Sequence, residues 1–205
     1  MSKGIFITFE GGEGAGKSTI IDRAYSELLS QGYSAIKTIE PGGTFIGDNI
    51  REILLFSKEK LYPFCELGLF LASRAQHVQD VILPALEEGK IVLCDRFHDS
   101  TIAYQGIARG LGEKKIHDLC MAFSDSLEPN LTIYLDIDPK IGLQRSTNSS
   151  SDRIEQEKIE FHQKVREAFL SLQEKSSQRM KKFDASQPLV SVFDLVYKQI
   201  RSVID

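Results

Sequence analysis

The residues best suited to chemistry stand together near the start of the chain, in Gly11-Gly12-Glu13-Gly14-Ala15-Gly16-Lys17-Ser18. This is the Gly-x-x-x-x-Gly-Lys-Ser spacing, entered from the apolar, β-branched run Ile5–Phe9 and left through a helical pattern. Glycines allow a tight turn whose backbone N–H groups point inward at phosphate oxygens, and the helix beginning near Lys17 adds its positive end. Lys17 is expected to reach the β- and γ-phosphates, and the Ser18 hydroxyl to ligate Mg²⁺. A glycine-rich turn can also form without a ligand, but here every fixed position of the motif is filled. Gly11 through Thr19 are therefore expected to hold a nucleoside triphosphate.

A second group of functional side chains runs from Asp95-Arg96 to Gln105, directly after the strand-like Ile91–Cys94. Asp95 and Arg96 should emerge at the carboxyl end of a central strand, where open α/β sheets bind ligands. An acidic group there can hold Mg²⁺ through water or orient an arginine, and Arg96 can grip a phosphate with two parallel hydrogen bonds. A structural salt bridge would be the better reading for an isolated Asp-Arg pair. A phosphate loop in the same chain favours the site.

These groups must be positioned by alternating strands and helices. Strand patterns cover Ile5–Phe9, Tyr33–Ile39, Ile91–Cys94, Leu131–Ile137 and a segment near Lys182–Phe183. Helical patterns cover Ser18–Ser30, Phe45–Phe56 (with Ile46, Ile50, Ile53 and Leu54 on one face), and Phe64–Glu88, which Pro84 should bend or interrupt. Further helices are expected after Pro139, over Ile154–Gln173 and over Leu189–Ile204. Strands separated by helices imply right-handed crossovers and a three-layer α/β fold, a parallel sheet covered by helices on both faces. The polar run Ser146–Ser151 between Arg145 and Arg153 reads either as a lid near 145–155 or as a solvated connection.

Composition is compatible with this. A chain of 205 residues, 41% hydrophobic, can bury one good core, and 1–205 reads as a single domain. A net charge of −4 offers no electrostatic case for nucleic acid or an acidic membrane surface. No apolar run approaches bilayer length, and no signal-peptide pattern precedes the first strand. Cys65, Cys94 and Cys120 read as small buried hydrophobes in a reducing compartment, so a cytoplasmic location is expected.

The motifs together resemble the thymidylate kinases, within the nucleoside monophosphate kinases of the P-loop type. The matching pieces are Phe9–Ser18, Glu40-Pro41-Gly-Gly-Thr44 with Ile50-Arg51, Phe70–Arg74, and Asp95-Arg96 through Ser100–Gln105. Asp152–Glu155 and Asp184–Pro188 complete the set, in the family's order and over nearly the whole chain. The resemblance implies transfer of the ATP γ-phosphoryl group to dTMP, giving dTDP for dTTP synthesis, with Mg²⁺ held by Ser18 and Asp95. It implies that Glu13 meets the acceptor's 3′-hydroxyl, that Phe70 stacks on the thymine ring, and that Arg74 hydrogen-bonds its exocyclic oxygen. Arg51 and Arg96 match phosphate-contacting arginines, Ser100 or Thr101 a position near the pyrimidine N3 edge, and Tyr104 a ring that would crowd a ribose 2′-hydroxyl. Glu40, Pro41 and Gln105 complete the implied acceptor site, and Arg145, Asp184 and Ala185 the adenine side of the ATP site. Without the resemblance, Phe70 would read as a core residue.

The acceptor of such a reaction is an ionised phosphate oxygen, so catalysis is expected to be alignment and charge neutralisation by Lys17, Arg96 and a lid arginine. Arg153, in Asp-Arg-Ile-Glu, is the first choice for that arginine and Arg145 the second. His98 invites an acid–base role that this chemistry does not need. The chain departs from the family pattern in two places. Neither the phosphate loop nor Ser146–Ser151 carries an arginine, and Ile39 precedes the Glu40 turn where related sequences often have one. A homodimer is also implied, with Leu67, Leu69, Leu71 and Cys120–Phe123 as candidate contacts. Alternatives are a kinase for dUMP, dCMP or a deoxynucleoside, and a nucleotide-controlled switch on the same fold.

Overall fold

Five parallel strands in the order β2-β3-β1-β4-β5 organise the chain, seen in a computed structural model that describes residues 4–146 and 152–205. The strands are β1 (Ile5–Glu10), β2 (Ala35–Ile39), β3 (Ile91–Asp95), β4 (Leu131–Asp136) and β5 (Met180–Asp184). The helices are α1 (Lys17–Ser30), α2 (Phe45–Phe56), α3 (Pro63–His77), α4 (Leu83–Glu87), α5 (His98–Thr101), α6 (Glu113–Phe123), α7 (Pro139–Ser146), α8 (Ile159–Lys175) and α9 (Leu189–Ile204).

Strand alternation divides the core into two faces. Ile7, Phe9, Leu93, Ile133 and Leu135 pack under α1 and α9, meeting Ile20, Ala24, Leu28, Val192 and Val196. On the other face Phe6, Val92 and Cys94 meet Val78, Ile82 and Ala85. Beside them, Tyr134 and Met180 meet Val165, Phe169 and Leu172 of α8. The expected three-layer α/β arrangement is present.

Local chemistry accounts for several boundaries. The Thr44 hydroxyl accepts from the Gly47 N–H at 2.9 Å and caps α2. The long helical pattern ending at Glu88 is broken into α3, a π-helical turn over Val78–Ile82, and α4, whose second residue is Pro84. Proline cannot supply its N–H, and the wider turn ahead of it absorbs the mismatch. A second π-helical turn, Ile102–Ala108, follows α5 and carries Tyr104 and Gln105.

Three expectations need correction. The helix expected from Ile154 begins at Ile159, because Asp152 Oδ1 accepts from the N–H groups of Ile154 (2.8 Å) and Glu155 (2.9 Å) and holds them in a turn. The face of α2 expected to be buried is largely outside: Leu54 is buried, but Ile46 and Ile53 are about half exposed, since α2 packs on α3 away from the sheet. Cys65 is exposed on α3, whereas Cys94 and Cys120 are buried as expected. Of the expected lid run, 147–151 lies outside the described residues.

Candidate active site

The sheet register brings the two sequence motifs together. Phe9 of β1 pairs with Asp95 of β3, so the phosphate loop and the Asp95-Arg96 pair leave adjacent strands at the same edge. Glu10, the last residue of β1, is fully buried and ties them further. Its carboxyl group accepts from the Phe97 N–H at 2.8 Å and the Ser100 hydroxyl at 2.5 Å. Burial first, and then the neighbouring Asp99, raise the pKa of Glu10.

The loop itself is pinned by close backbone approach. Gly14 has φ +66°, and a Cβ there would lie 1.9 Å from the Gly142 carbonyl oxygen of α7. A Cβ on Gly142 would lie 2.2 Å from the Glu13 carbonyl oxygen. No side chain caps the start of α1 at Gly16, so its first N–H groups face the loop. Lys17 folds back on the carbonyl oxygens of Gly11 (3.2 Å) and Gly12 (3.0 Å). Burial and then Arg96 lower its pKa. The Ser18 hydroxyl donates to Asp95 Oδ2 at 3.0 Å, while Asp95 Oδ1 is buried without a hydrogen-bond partner among the described residues.

Arg96 is the central cation. Its backbone sits at φ +68°, a costly conformation for a non-glycine residue and one that clusters at functional sites. The guanidinium donates to the Gly11 carbonyl at 2.9 Å and to Glu13 Oε1 at 2.6 Å, and lies 5.2 Å above the Tyr104 ring. Tyr104 also donates its hydroxyl to Glu13 Oε1, at 3.1 Å. Burial opposes ionisation of Glu13, but Arg96, Lys17 and Tyr104 outweigh it and hold the carboxyl below its ordinary 4.5.

Across the cavity, α3 presents Glu66, Phe70 and Arg74 one turn apart on one face. Arg74 is almost wholly buried. It donates to Glu40 Oε2 at 2.8 Å, to the Thr101 hydroxyl at 3.0 Å and to Cys120 Sγ at 3.3 Å. Glu40 Oε1 lies 2.9 Å from His77 Nδ1, and His77 Nε2 lies 2.6 Å from the Thr38 hydroxyl. Arg51 donates to the Pro41 carbonyl at 2.8 Å.

One cavity of about 470 Å³ takes in most of the expected residues. Its walls are Glu13–Thr19, Glu40, Pro41, Arg51, Phe70, Arg74, Asp95, Arg96, Ser100, Thr101, Tyr104 and Gln105. A second, of about 380 Å³, lies beyond Ala15 and Gly16 and is walled by Arg145, Ala185 and Pro188. Arg145 spans it by donating to the Ala185 carbonyl at 2.8 Å. Asp184 is exposed and accepts from the Ser186 N–H at 2.9 Å.

Other residues stand elsewhere. Arg153 lines neither cavity: it donates to the Leu54 carbonyl at 3.0 Å and to Glu66 Oε2 at 2.5 Å. His98 is buried against Phe97, outside both cavities, and burial takes its pKa down to about 4. It is placed for packing, not for proton transfer to a ligand. Leu67, Leu71 and Cys120, considered for a subunit contact, are buried in this chain's own core.

Four residues are given no role by the sequence reading. Glu66 is buried and also accepts from Gln105 at 2.9 Å and Arg109 at 3.2 Å, which ties the Gln105 side of the cavity to Arg153. Asp152 and Glu155 line the larger cavity. Gly142 offered one signal, a glycine within a helical pattern.

A family model described as Thymidylate kinase matches residues 9–196. The chain is 50% identical over 195 residues to a thymidylate kinase of Protochlamydia amoebophila, covering 90% of this chain and 87% of that one. It is 46% identical over 203 residues to the thymidylate kinase of Chlamydia muridarum (98% and 100% covered), and 44% identical over 207 residues to that of a Geobacillus species (99% of each). Matched by this family model and by these relatives over nearly its full length, the chain belongs to the thymidylate kinase family.

Proposed function

We propose that this protein transfers the γ-phosphoryl group of ATP to dTMP, forming dTDP for dTTP synthesis. The observation that carries the reading is the single cavity in which Lys17 and Arg96 face Phe70, Arg74 and Arg51. The acceptor's phosphate oxygen is already ionised at neutral pH, so no strong general base is needed. Arg96, held between the Gly11 carbonyl and Glu13, stands where donor and acceptor phosphates meet, and Lys17 supports the donor side. Glu13 is assigned the sugar 3′-hydroxyl, Phe70 the thymine face, Arg74 the exocyclic oxygen, and Ser100 or Thr101 the N3 edge. Arg51 takes the acceptor phosphate, and the Tyr104 ring takes the space a ribose 2′-hydroxyl would need. Gln105 and the Glu40-Pro41 turn support that wall. ATP's adenine is assigned to the smaller cavity beside Arg145 and Ala185.

Ser18 and Asp95 fit Mg²⁺: both offer hard oxygen ligands, and the unpartnered Asp95 Oδ1 is the group a cation would satisfy. When bound, Mg²⁺ supplies charge neutralisation on the phosphate oxygens. Arg153, engaged by Glu66 and Leu54, is assigned to holding the start of the Asp152–Glu155 turn against α3 in this arrangement.

ADP release from ATP and Mg²⁺, measured with dTMP, dUMP, dCMP, dGMP or no acceptor, tests the reading. Strong stimulation by dTMP alone is expected. Equal turnover on several acceptors overturns the base-recognition assignments, and nucleotide binding without acceptor dependence favours the switch.

We also infer a homodimer through α2 and α3. Phe45, Ile46, Ile53 and Phe56 form an exposed apolar band on α2, and Tyr62 and Phe64 at the start of α3 are exposed as well. Sedimentation velocity is expected to show a dimer that Phe56→Glu converts to monomer; a monomeric parent protein overturns the inference. No helix among the described residues is long and apolar enough to cross a membrane. Three unpaired cysteines suit a reducing, cytoplasmic setting.

A further inference from the structure

Between the phosphate loop and α8 lies a much smaller space of about 10 Å³, partly open, with Glu13 on its wall as on that of the larger cavity. That is room for a single water. Gly12 and Glu13 form its loop side and His162 and Arg166 of α8 its polar helix side, while Tyr134 and apolar side chains such as Ile137 and Leu143 close the rest. His162 is 4% exposed, and its Nε2 is buried without a hydrogen-bond partner among the described residues. A buried ring nitrogen is ordinarily paired, so this one calls for a ligand within reach.

Arg166 is engaged elsewhere, donating to both carboxylate oxygens of Asp136 at 2.7 and 3.0 Å. Tyr134, also on the wall, donates its hydroxyl to Asp136 at 2.9 Å, so the ionisable group left facing His162 across the space is Glu13. Arg96 and Tyr104 both bind Glu13 at Oε1, from the acceptor side. We propose that His162 is a positioning residue for Glu13, holding the carboxylate from the α8 side through one water in this space. A carboxylate gripped on one oxygen can still swing about its side-chain torsions. A second hold from α8 fixes which oxygen faces the acceptor's sugar hydroxyl. The electrostatics agree, since His162 is among the groups that favour the ionised form of Glu13.

The proposal rests on the assignment of Glu13 to the sugar 3′-hydroxyl, so the test uses two acceptors, dTMP and 3′-deoxythymidine monophosphate. His162→Leu is expected to raise KM for dTMP about tenfold, a little over 1 kcal/mol, with kcat and the KM for ATP nearly unchanged. KM for the 3′-deoxy acceptor should move less than about twofold, because the hydroxyl that Glu13 meets is missing. His162→Gln, which keeps a hydrogen-bonding tip, should recover most of the loss. In a Glu13→Gln background, His162→Leu should add nothing. Equal KM increases for both acceptors, or losses that multiply in the double variant, overturn the proposal and leave Glu13's assignment standing. If Glu13→Gln does not alter discrimination between the two acceptors, the Glu13 assignment and the proposal fall together. Should His162→Leu fail to fold, His162→Phe, an apolar ring of similar shape, carries the same comparison.

Discussion

Replacing Lys17 with alanine is expected to lower kcat by about 10²- to 10³-fold, the usual cost of removing one preorganised charge-stabilising donor. The site's other cations have prior engagements. Arg74 is bound to Glu40, Arg51 to the Pro41 carbonyl, and Arg96 to Glu13. Lys17 is held by carbonyl oxygens of its own loop, at 3.0 and 3.2 Å, contacts that phosphate oxygens replace readily. With no arginine in the loop to share the load, its loss is expected to fall directly on the transferred group. Because burial and Arg96 already disfavour the charged amine, the same substitution should leave the melting temperature unchanged or higher. Single-turnover phosphoryl transfer checks the rate, and a decrease smaller than about tenfold would remove Lys17 from the chemistry.

Arg74→Met should combine a loss of acceptor recognition with a loss of stability of about 3–5 kcal/mol at neutral pH. Arg74 and Glu40 are 2% and 3% exposed, and removing the guanidinium strands the Glu40 carboxylate in the core beside His77. In the intact protein, burial opposes ionisation of Glu40, but Arg74 and His77 outweigh it and hold the carboxyl below its ordinary 4.5. That stabilisation is present above the unfolded pKa and is lost as pH falls through the folded one. In the variant the sign reverses: burial raises Glu40, and protonation on acidification relieves the buried charge. The stability difference between parent and variant should therefore shrink as pH is lowered. Urea unfolding across pH reads this directly, and a pH-independent difference would refute the ion pair's role. Adding Glu40→Gln should restore much of the stability without restoring the affinity for dTMP, which separates the structural use of Arg74 from its proposed contact with the base.

Those two sites differ in how they could be found. The phosphate loop's chemistry is contained in consecutive residues, so its glycine spacing, Lys17 and Ser18 could be read from the chain alone, along with the strand and helix on either side. The Asp95-Arg96 pair was legible for a related reason, since a buried apolar strand ending in charged residues announces its carboxyl edge. The acceptor wall was less so. Phe70 and Arg74 sit on a helix whose periodicity is that of any core helix, and only resemblance to the thymidylate kinases distinguished them from packing.

Local pattern also set the parallel α/β architecture and most element boundaries, because alternation and helical period report which backbone form buries apolar side chains. It misplaced the start of α8, where one Asp152 carboxylate claims two backbone N–H groups, and the outward face of α2, where apolarity does not say what covers it. Tertiary structure alone decided the rest. It turned Arg153 toward Glu66, pressed Gly142 onto the phosphate loop, buried His98 away from any ligand, and set His162 across from Glu13. The physical reason is common to all four. Each depends on where separate helices pack against one sheet edge, and pairwise contact between distant segments leaves no periodic trace in either segment's own sequence.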